Sequence, residues 1–271
     1  MDAIELIKQY THHDNVKLSE RGNTAIFAAL YCVRKLNPNK KIILFPDEGG
    51  WFSYFKYPKM LELKPWEVFT DKGIIDMVDL KNKAKDALAL IYSQPAGYYA
   101  DQPIKEIYEI CKENNCFVIM DITASLGTPY CDGKYADFTV ASFGKWKPVN
   151  LQYGGSLTAL KKEYFEIPKE IFNTTKFDET KLDQLAVNLA KLKERFELFE
   201  KHVEKIKSDL KDFKILHKDK WGINVIVAFE NEDEKNKIIS YCENNKYQFT
   251  ICPRYIRVNQ KAISIEVKRL E

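Results

Sequence analysis

Short apolar runs recur along the first 160 residues and alternate with stretches in which apolar residues return every three or four positions. Such runs predict buried strands, and the periodic stretches predict amphipathic helices. Strands that alternate with helices indicate a mostly parallel sheet with helices on both faces, which is an α/β fold. The pattern predicts strands at residues 41–45, 66–69, 87–92, 116–120 and 137–141, and helices at 2–10, 25–36, 76–85 and 102–114.

The pattern changes after residue 158. Residues 179–210 have one long helical repeat rich in Lys and Glu, which predicts a single helix that links two units. Beyond it, the sequence predicts strands at 224–229, 247–252 and 262–267 and a helix at 232–244. We therefore expect a large domain over 1–175, followed by the linking helix and a small α+β C-terminal domain over 176–271.

Polar residues follow two of the predicted strands directly. Asp121 ends the strand at 116–120, and Ser142 ends the strand at 137–141 and is followed by a loop with Lys145 and Lys147. In an open α/β sheet, chemistry lies at the carboxyl ends of the strands. A strand ending in Asp and a loop with two lysines are each common, so only their order and spacing point to a site.

This set of groups suits pyridoxal 5'-phosphate (PLP). That cofactor needs a lysine amine for a Schiff base, a carboxylate beside its pyridine nitrogen, and hydroxyl and backbone N–H groups around its phosphate. Asn23 and Thr24 stand at the N-terminus of the helix predicted at 25–36, where free N–H groups and the helix dipole favour a phosphate. The alternative is that one of these two side chains simply caps the helix.

The sequence resembles the fold-type-I PLP-dependent enzymes, most closely the DegT/DnrJ/EryC1/StrS aminotransferases. The resemblance covers about residues 1–160 and lies in these motifs: Gly22-Asn-Thr-Ala25, Tyr92-Ser-Gln-Pro-Ala-Gly97, Asp121-Ile-Thr-Ala-Ser-Leu-Gly127, Ala136-Asp137, Ser142-Phe143 and Gly154-Gly155. It implies the PLP-dependent transferase fold, with a PLP-binding large domain.

The resemblance also implies roles for individual residues. Lys147, five residues after Ser142, is the expected Schiff-base lysine and general base, and Asp121 is expected to keep the ring nitrogen protonated. Lys145, three residues after Ser142, stands where other branches of the fold-type-I enzymes have their Schiff-base lysine. If Lys147 holds the cofactor, Lys145 is expected to lie near the phosphate or the substrate. The remaining expected contacts are Ser142, Asn23 and Thr24 at the phosphate, Trp51 or Phe52 stacked on the ring, and Arg254 or Arg257 at a substrate carboxylate.

The activity implied is that of an aminotransferase acting on a small amino, keto or sugar substrate, with a small-molecule amino donor and acceptor. The alternatives are PLP-dependent lyase or desulfurase chemistry, or a trimmed non-catalytic binding or regulatory subunit. Ala124, where relatives have Gln or His, and the short chain motivate the last alternative. Relatives form their active site at a dimer interface, so a homodimer is expected.

Composition excludes several other classes. The net charge of +3 is too small to indicate a nucleic-acid partner. No apolar run is long enough for a membrane span and the first residues do not form a signal peptide, so a cytoplasmic protein is expected. Six scattered cysteines without a CxxC pair, and the adjacent pair His12 and His13, predict no metal site.

Overall fold

The computed structural model describes residues 2–270, which form thirteen strands and nine α-helices. The strands are β1 Asn15–Ser19, β2 Ile42–Pro46, β3 Lys64–Val68, β4 Thr70–Asp71, β5 Ile74–Ile75, β6 Ala87–Ser93, β7 Phe117–Asp121, β8 Phe138–Ser142, β9 Gly155–Ala159, β10 Lys214–Ile215, β11 Val225–Ala228, β12 Phe249–Cys252 and β13 Ala262–Ile265. The helices are α1 Ala3–Thr11, α2 Gly22–Leu36, α3 Ser53–Met60, α4 Met77–Ala84, α5 Ile104–Glu113, α6 Lys169–Thr174, α7 Leu182–Ala190, α8 Leu192–Asp209 and α9 Glu232–Asn244.

Seven strands form the main sheet in the order β1-β9-β8-β7-β6-β2-β3. Pairing is parallel from β8 to β3, and β9 runs antiparallel to both of its neighbours. Strand β6 lies inside the sheet, between β7 and β2, and all seven of its residues are buried. Its residues Leu88 and Ile91 pack into the core under α2, whereas Leu90 and Tyr92 pack into the core under α4 and α5. The α/β fold with helices on both faces is confirmed.

Strand β1 was not predicted. It pairs antiparallel with β9 from Asn15↔Ala159 to Ser19↔Gly155. The strand is short and mixes polar and apolar residues, so it lacks the apolar run that marks the inner strands. Because β1 runs parallel to β8, its end at Ser19 brings the start of α2 to the same edge of the sheet as the ends of β7 and β8.

The single helix predicted over 179–210 is wrong. A short 3-10 turn at Glu179–Lys181 leads into α7, and α8 follows after Lys191. The apolar repeat runs through the junction, but it covers two different surfaces. Helix α7 packs against α1, whereas α8 packs against β11 of the second sheet. A straight helix would not reach both surfaces, so the chain bends at Lys191.

The second sheet is antiparallel, in the order β10-β11-β13-β12, and α9 packs on β13. The loop after β12 returns to the main sheet: the N–H of Gly49 donates to the carbonyl of Tyr255 at 2.7 Å, and the Tyr255 hydroxyl donates to the carbonyl of Pro46 at 3.2 Å. Asn259 adds a side-chain bond to the carbonyl of Asp47 at 3.0 Å and a backbone bond to Glu48. The division into 1–175 and 176–271 stays a prediction.

In the part of the chain that the structure describes, none of the helices has both the length and the apolarity that a membrane span requires.

Candidate active site

A cavity of about 610 Å³ opens at the carboxyl ends of β6, β7 and β8. Ser93, Asp121 and Ser142 project from these three strand ends into its wall. The first turn of α2, the loop 144–147 and residues 268–269 supply further walls. The residues that sequence reasoning placed at one edge of the sheet therefore meet around one cavity.

The amine of Lys147 lies inside this cavity. Its Nζ atom donates to the Tyr98 hydroxyl at 2.7 Å. The same atom lies 5.4 Å from the ring centroid of Trp51 and 5.0 Å from that of Tyr98. Lys145 also lines the cavity, but it is exposed, and its Nζ lies over the ring of the partly exposed Trp146 at 4.9 Å. The aromatic surroundings thus single out Lys147 as the inner of the two lysines.

Asp121 is buried at the end of β7 with both carboxylate oxygens in use. Oδ2 accepts from the Tyr54 hydroxyl at 2.7 Å, and Oδ1 accepts from the N–H of Thr123 at 3.0 Å. Burial, and then the neighbouring charge of Asp121, raise the pKa of Tyr54 well above its usual range. This phenol therefore stays protonated and acts as the hydrogen-bond donor to Asp121. Two donors hold the carboxylate at the cavity wall, and each oxygen keeps a lone pair for a further donor.

The first turn of α2 approaches the end of β8 very closely. A Cβ atom on Gly22 would lie 2.5 Å from Cβ of Ser142, and one on Gly155 would lie 2.5 Å from the N atom of Gly22. Only residues without a side chain allow this contact. The Ser142 hydroxyl accepts from the N–H of Gly144 at 3.3 Å, and the N–H of Ser142 donates to the Thr123 hydroxyl at 2.9 Å.

Neither Asn23 nor Thr24 caps α2. The cap residue is Arg21, which is extended and makes no side-chain capping bond within residues 2–270. The Oδ1 atom of Asn23 instead accepts from the indole N–H of Trp51 at 3.0 Å and from the hydroxyl of Ser53 at 3.1 Å. Asn23 therefore orients Trp51 in the cavity wall and leaves the start of α2 open to an anion.

Two predicted residues lie elsewhere. Thr24 and Arg254 are outside the set of described residues that line the cavity, and Arg254 is exposed. Phe52 packs against Tyr255, with ring centroids 5.7 Å apart, whereas Trp51 lines the cavity. Arg257 does line the cavity but is buried and paired with Glu266. Arg254 and Arg257 are three residues apart on the loop after β12, yet Arg254 lies on the surface and Arg257 lies in the cavity wall.

Sequence reasoning missed three site residues. Tyr98 follows the motif that ends at Gly97, so its place in the sequence was the available signal. Tyr54 lies on α3 within the aromatic stretch that begins at Trp51. Lys268 lies more than a hundred residues along the chain from Lys147 and Asp121, and no motif surrounds it.

The residues present fit PLP. A lysine amine, a carboxylate held by two donors, an indole face and an uncapped helix start line one cavity, and the close approach at Gly22 leaves backbone N–H groups beside Ser142. Ala124 is buried at 1% exposure and takes no part in the cavity wall within the described residues, so the position that carries Gln or His in relatives supplies no polar group here.

Two comparisons concern the sequence. Residues 193–271 match the MJ1341 family C-terminal domain. A stretch of 140 residues, 49% of this chain, is 29% identical to the probable glycine dehydrogenase (decarboxylating) subunit 1 of Staphylothermus marinus. The match covers 30% of that relative, so the chain spans less than a third of its length.

Solved structures with a similar fold cover almost the whole chain. Helicobacter pylori PseC, an aminotransferase involved in the biosynthesis of pseudoaminic acid, has a TM-score of 0.78 at 15% identity, with 97% of this chain and 84% of that one covered. The alanine–glyoxylate aminotransferase of Nostoc sp. has a TM-score of 0.74 at 14% identity, with 97% and 79% covered. The cysteine desulfurase of Thermococcus onnurineus has a TM-score of 0.74 at 12% identity, with 97% and 76% covered. The chain therefore has the fold of the fold-type-I PLP-dependent transferases.

Proposed function

We propose that this chain is a PLP-dependent enzyme, most simply an aminotransferase, in which Lys147 holds the cofactor covalently. The observation that carries the proposal is that one cavity collects the amine of Lys147, the doubly held carboxylate of Asp121 and the open start of α2. The fold is that of PLP-dependent enzymes, and the similar solved structures include two aminotransferases. The closer relation to the DegT/DnrJ/EryC1/StrS aminotransferases stays a prediction.

Each wall of the cavity would hold a different part of the cofactor. The start of α2 and the Ser142 hydroxyl are placed to bind its phosphate, because backbone N–H groups and the helix dipole favour an anion there. The carboxylate of Asp121 would pair with the pyridine nitrogen, and the indole of Trp51, fixed by Asn23, offers a flat face to the ring. The proposal assigns no contact with the cofactor to Thr24 or Lys145.

When bound, PLP supplies an aldehyde for attachment and a protonated ring that accepts electrons from a bond broken in the substrate. The chain supplies the proton transfer. The amine of Lys147, when it is not bound to the cofactor, would serve as the general base for a proton of the substrate. The Tyr98 hydroxyl at 2.7 Å orients that amine and can exchange a proton with it.

A second candidate rests on the curated relative. The 29% identity to a glycine dehydrogenase subunit favours a role as one subunit of a decarboxylating enzyme, with or without its own turnover. Lyase or desulfurase chemistry would use the same lysine and carboxylate, because these residues serve the cofactor and not the choice of reaction.

We also propose that the chain forms a homodimer and is located in the cytoplasm.

The first test is the absorbance spectrum of the purified chain with added PLP, before and after borohydride, followed by peptide mapping. We expect a band near the visible edge and a reduced adduct on Lys147. Lys147→Ala should abolish the adduct, and the matched Lys145→Ala should retain it. An adduct on Lys145, or none, contradicts the proposal. Spectral change with a panel of amino donors then separates an aminotransferase from a subunit that binds PLP without turnover.

A further inference from the structure

The C-terminal segment brings an unusual group of charges to the cavity. Glu266 is 1% exposed, and three cations surround its carboxylate: Arg257 at 2.7 Å, Lys268 at 3.4 Å and Arg269 at 3.8 Å. All three cations line the cavity, whereas Glu266 lies behind them. Its neighbours, Arg257 above all, hold the pKa of Glu266 well below its usual range against the effect of burial, so it is ionised.

Arg257 is already committed within the protein. Its Nε and Nη2 atoms donate to the two carboxylate oxygens of Glu266 at 2.9 and 2.7 Å, and Nη1 donates to the carbonyl of Ile256 at 2.7 Å. A planar guanidinium grips a substrate carboxylate by presenting two parallel N–H groups. The Glu266 carboxylate occupies that edge of Arg257, so this arginine cannot offer it to a ligand without breaking a buried ion pair.

Lys268 is held much more loosely. It is 4% exposed, yet the two oxygens that its Nζ contacts, the Trp146 carbonyl and Oε2 of Glu266, are both 3.4 Å away. Charged N–H···O bonds are commonly about 2.7–2.9 Å long. Its Nζ also lies 5.0 Å from the ring centroid of Tyr98, the same ring that lies 5.0 Å from Nζ of Lys147. Lys268 thus presents a weakly bonded ammonium group to the same tyrosine ring as the proposed reacting amine.

The charges that line the whole cavity also favour a second site for an anion. Among the described residues that line it, six are cations and two are carboxylates: Arg21, Lys145, Lys147, Arg257, Lys268 and Arg269 against Glu20 and Asp121. The proposed function assigns the cofactor phosphate to the start of α2 and not to Arg257, Lys268 or Arg269. The second group of cations therefore calls for a second anion.

We propose that Lys268 binds a carboxylate of a substrate, which is either the amino donor or the acceptor. The placement of that substrate rests on the proposed function, because it assumes that the reaction occurs at Lys147. The anion site itself depends only on Lys268 and its neighbours. A compact ammonium group takes the place that an arginine would otherwise fill.

The site should couple binding to protonation. Burial lowers the pKa of Lys268 to about 7; Glu266 opposes this shift, and the charges of Arg257, Lys147 and Arg269 reinforce it. A bound carboxylate favours the charged amine and raises its pKa. At a pH slightly above the pKa of Lys268 in the free protein, binding of a carboxylate must therefore take up protons. The affinity for the carboxylate should fall as the pH rises through about 7.

The test is calorimetric titration of the full chain with malonate, with and without PLP, in two buffers of different ionisation enthalpy at a pH slightly above 7. We expect saturable binding with net proton uptake in the wild type. Lys268→Met should weaken binding about tenfold or more and remove the proton uptake, because one charged hydrogen bond is lost. Lys268→Gln is the second variant, Lys261→Met is the matched surface control, and thermal melts confirm that each variant folds.

The outcomes separate the two proposals. Malonate binding that depends on Lys268 without any borohydride adduct on Lys147 would overturn the proposed function and retain the anion site. An adduct on Lys147 with malonate binding unchanged in Lys268→Met would overturn the anion site alone. Malonate that is displaced by inorganic phosphate and is indifferent to Lys268 would mean that it binds at the start of α2, which also overturns this inference.

Discussion

Tyr98 and Lys147 are joined by a hydrogen bond of 2.7 Å between the phenol oxygen and the amine. Tyr98 adopts a left-handed backbone conformation, with φ of 74°, which is uncommon for a residue with a bulky side chain. Its ring also has Arg257 and Lys268 at 5.0 Å from the centroid. One strained tyrosine therefore connects the proposed catalytic amine with the cations of the C-terminal segment.

Tyr98→Phe should leave the borohydride adduct on Lys147 intact and lower kcat about 10²-fold, which is a typical effect of removing a group that assists proton transfer. The ring remains, so its contacts with the cations persist and only the hydroxyl is lost. Rapid-mixing absorbance with an amino donor measures the rate. Tyr241→Phe, whose hydroxyl bonds Asp209 far from the cavity, is the control. An unchanged rate would show that the hydrogen bond has no part in turnover.

Asp121→Asn should lower turnover about 10²-fold or more, because a neutral amide cannot stabilise a protonated ring nitrogen as a carboxylate does. The side-chain shape is kept, so the amide oxygen can still accept from Tyr54. The variant should still show an adduct on Lys147, with an altered absorbance band. Activity close to that of the wild type would place the ring nitrogen elsewhere.

Gly22→Ala should destabilise the fold by about 1–3 kcal/mol and weaken PLP binding, because the added Cβ would lie 2.5 Å from Cβ of Ser142 and the first turn of α2 would have to shift. Gly144→Ala is the matched stability control, since its Cβ would meet the Oγ atom of the same serine at an ordinary 3.4 Å. Urea unfolding and a PLP titration measure the two effects. Equal unfolding free energies for both variants would contradict the close approach.

His13 should make the unfolding free energy fall in weak acid. Its Nε2 donates to the carbonyl of Gly133 at 2.9 Å, and its Nδ1 therefore accepts from the Thr158 hydroxyl at 2.7 Å. Burial lowers its pKa from the usual 6.5, and the hydrogen bonds with the backbone of Gly133 and Ala136, followed by the charges of Asp137 and Asp132, only partly oppose this. The folded state thus favours the neutral ring.

The stability that His13 contributes is full above about pH 6.5 and is lost as the pH falls through the lower pKa of the folded state. Urea unfolding across this range should show the loss in the wild type and not in His13→Gln, which keeps a donor for Gly133. His12→Gln, at the exposed neighbouring position, controls for losing an imidazole. An identical pH profile for His13→Gln and the wild type would show that this ring does not titrate with folding.

The inner strands and the polar residues at their ends were predictable, because a buried parallel strand must be an apolar run and its end is marked by the first polar residue. Asp121 and Ser142 were found in this way. Strand β1 lacks such a run, and the bend at Lys191 lies within an unbroken apolar repeat, so neither left a local signal.

The residues that depend on contacts between distant segments were not predictable. Lys268 and Lys147 share the ring of Tyr98 across more than a hundred residues of chain, and no local pattern records that contact. Arg254 and Arg257 are equivalent in the sequence, but the turn closed by the bond from the N–H of Arg254 to the carbonyl of Val258 leaves one exposed and directs the other to Glu266.

The loop after β12 is fastened to the main sheet by the bonds of Tyr255 and Asn259 to residues 46–49. This attachment means that the second sheet cannot swing away from the cavity as a free flap. Any wide opening would first have to break several hydrogen bonds at once, which makes such an excursion rare and cooperative. Ligands are then expected to enter and leave the cavity without a wide swing of the second sheet.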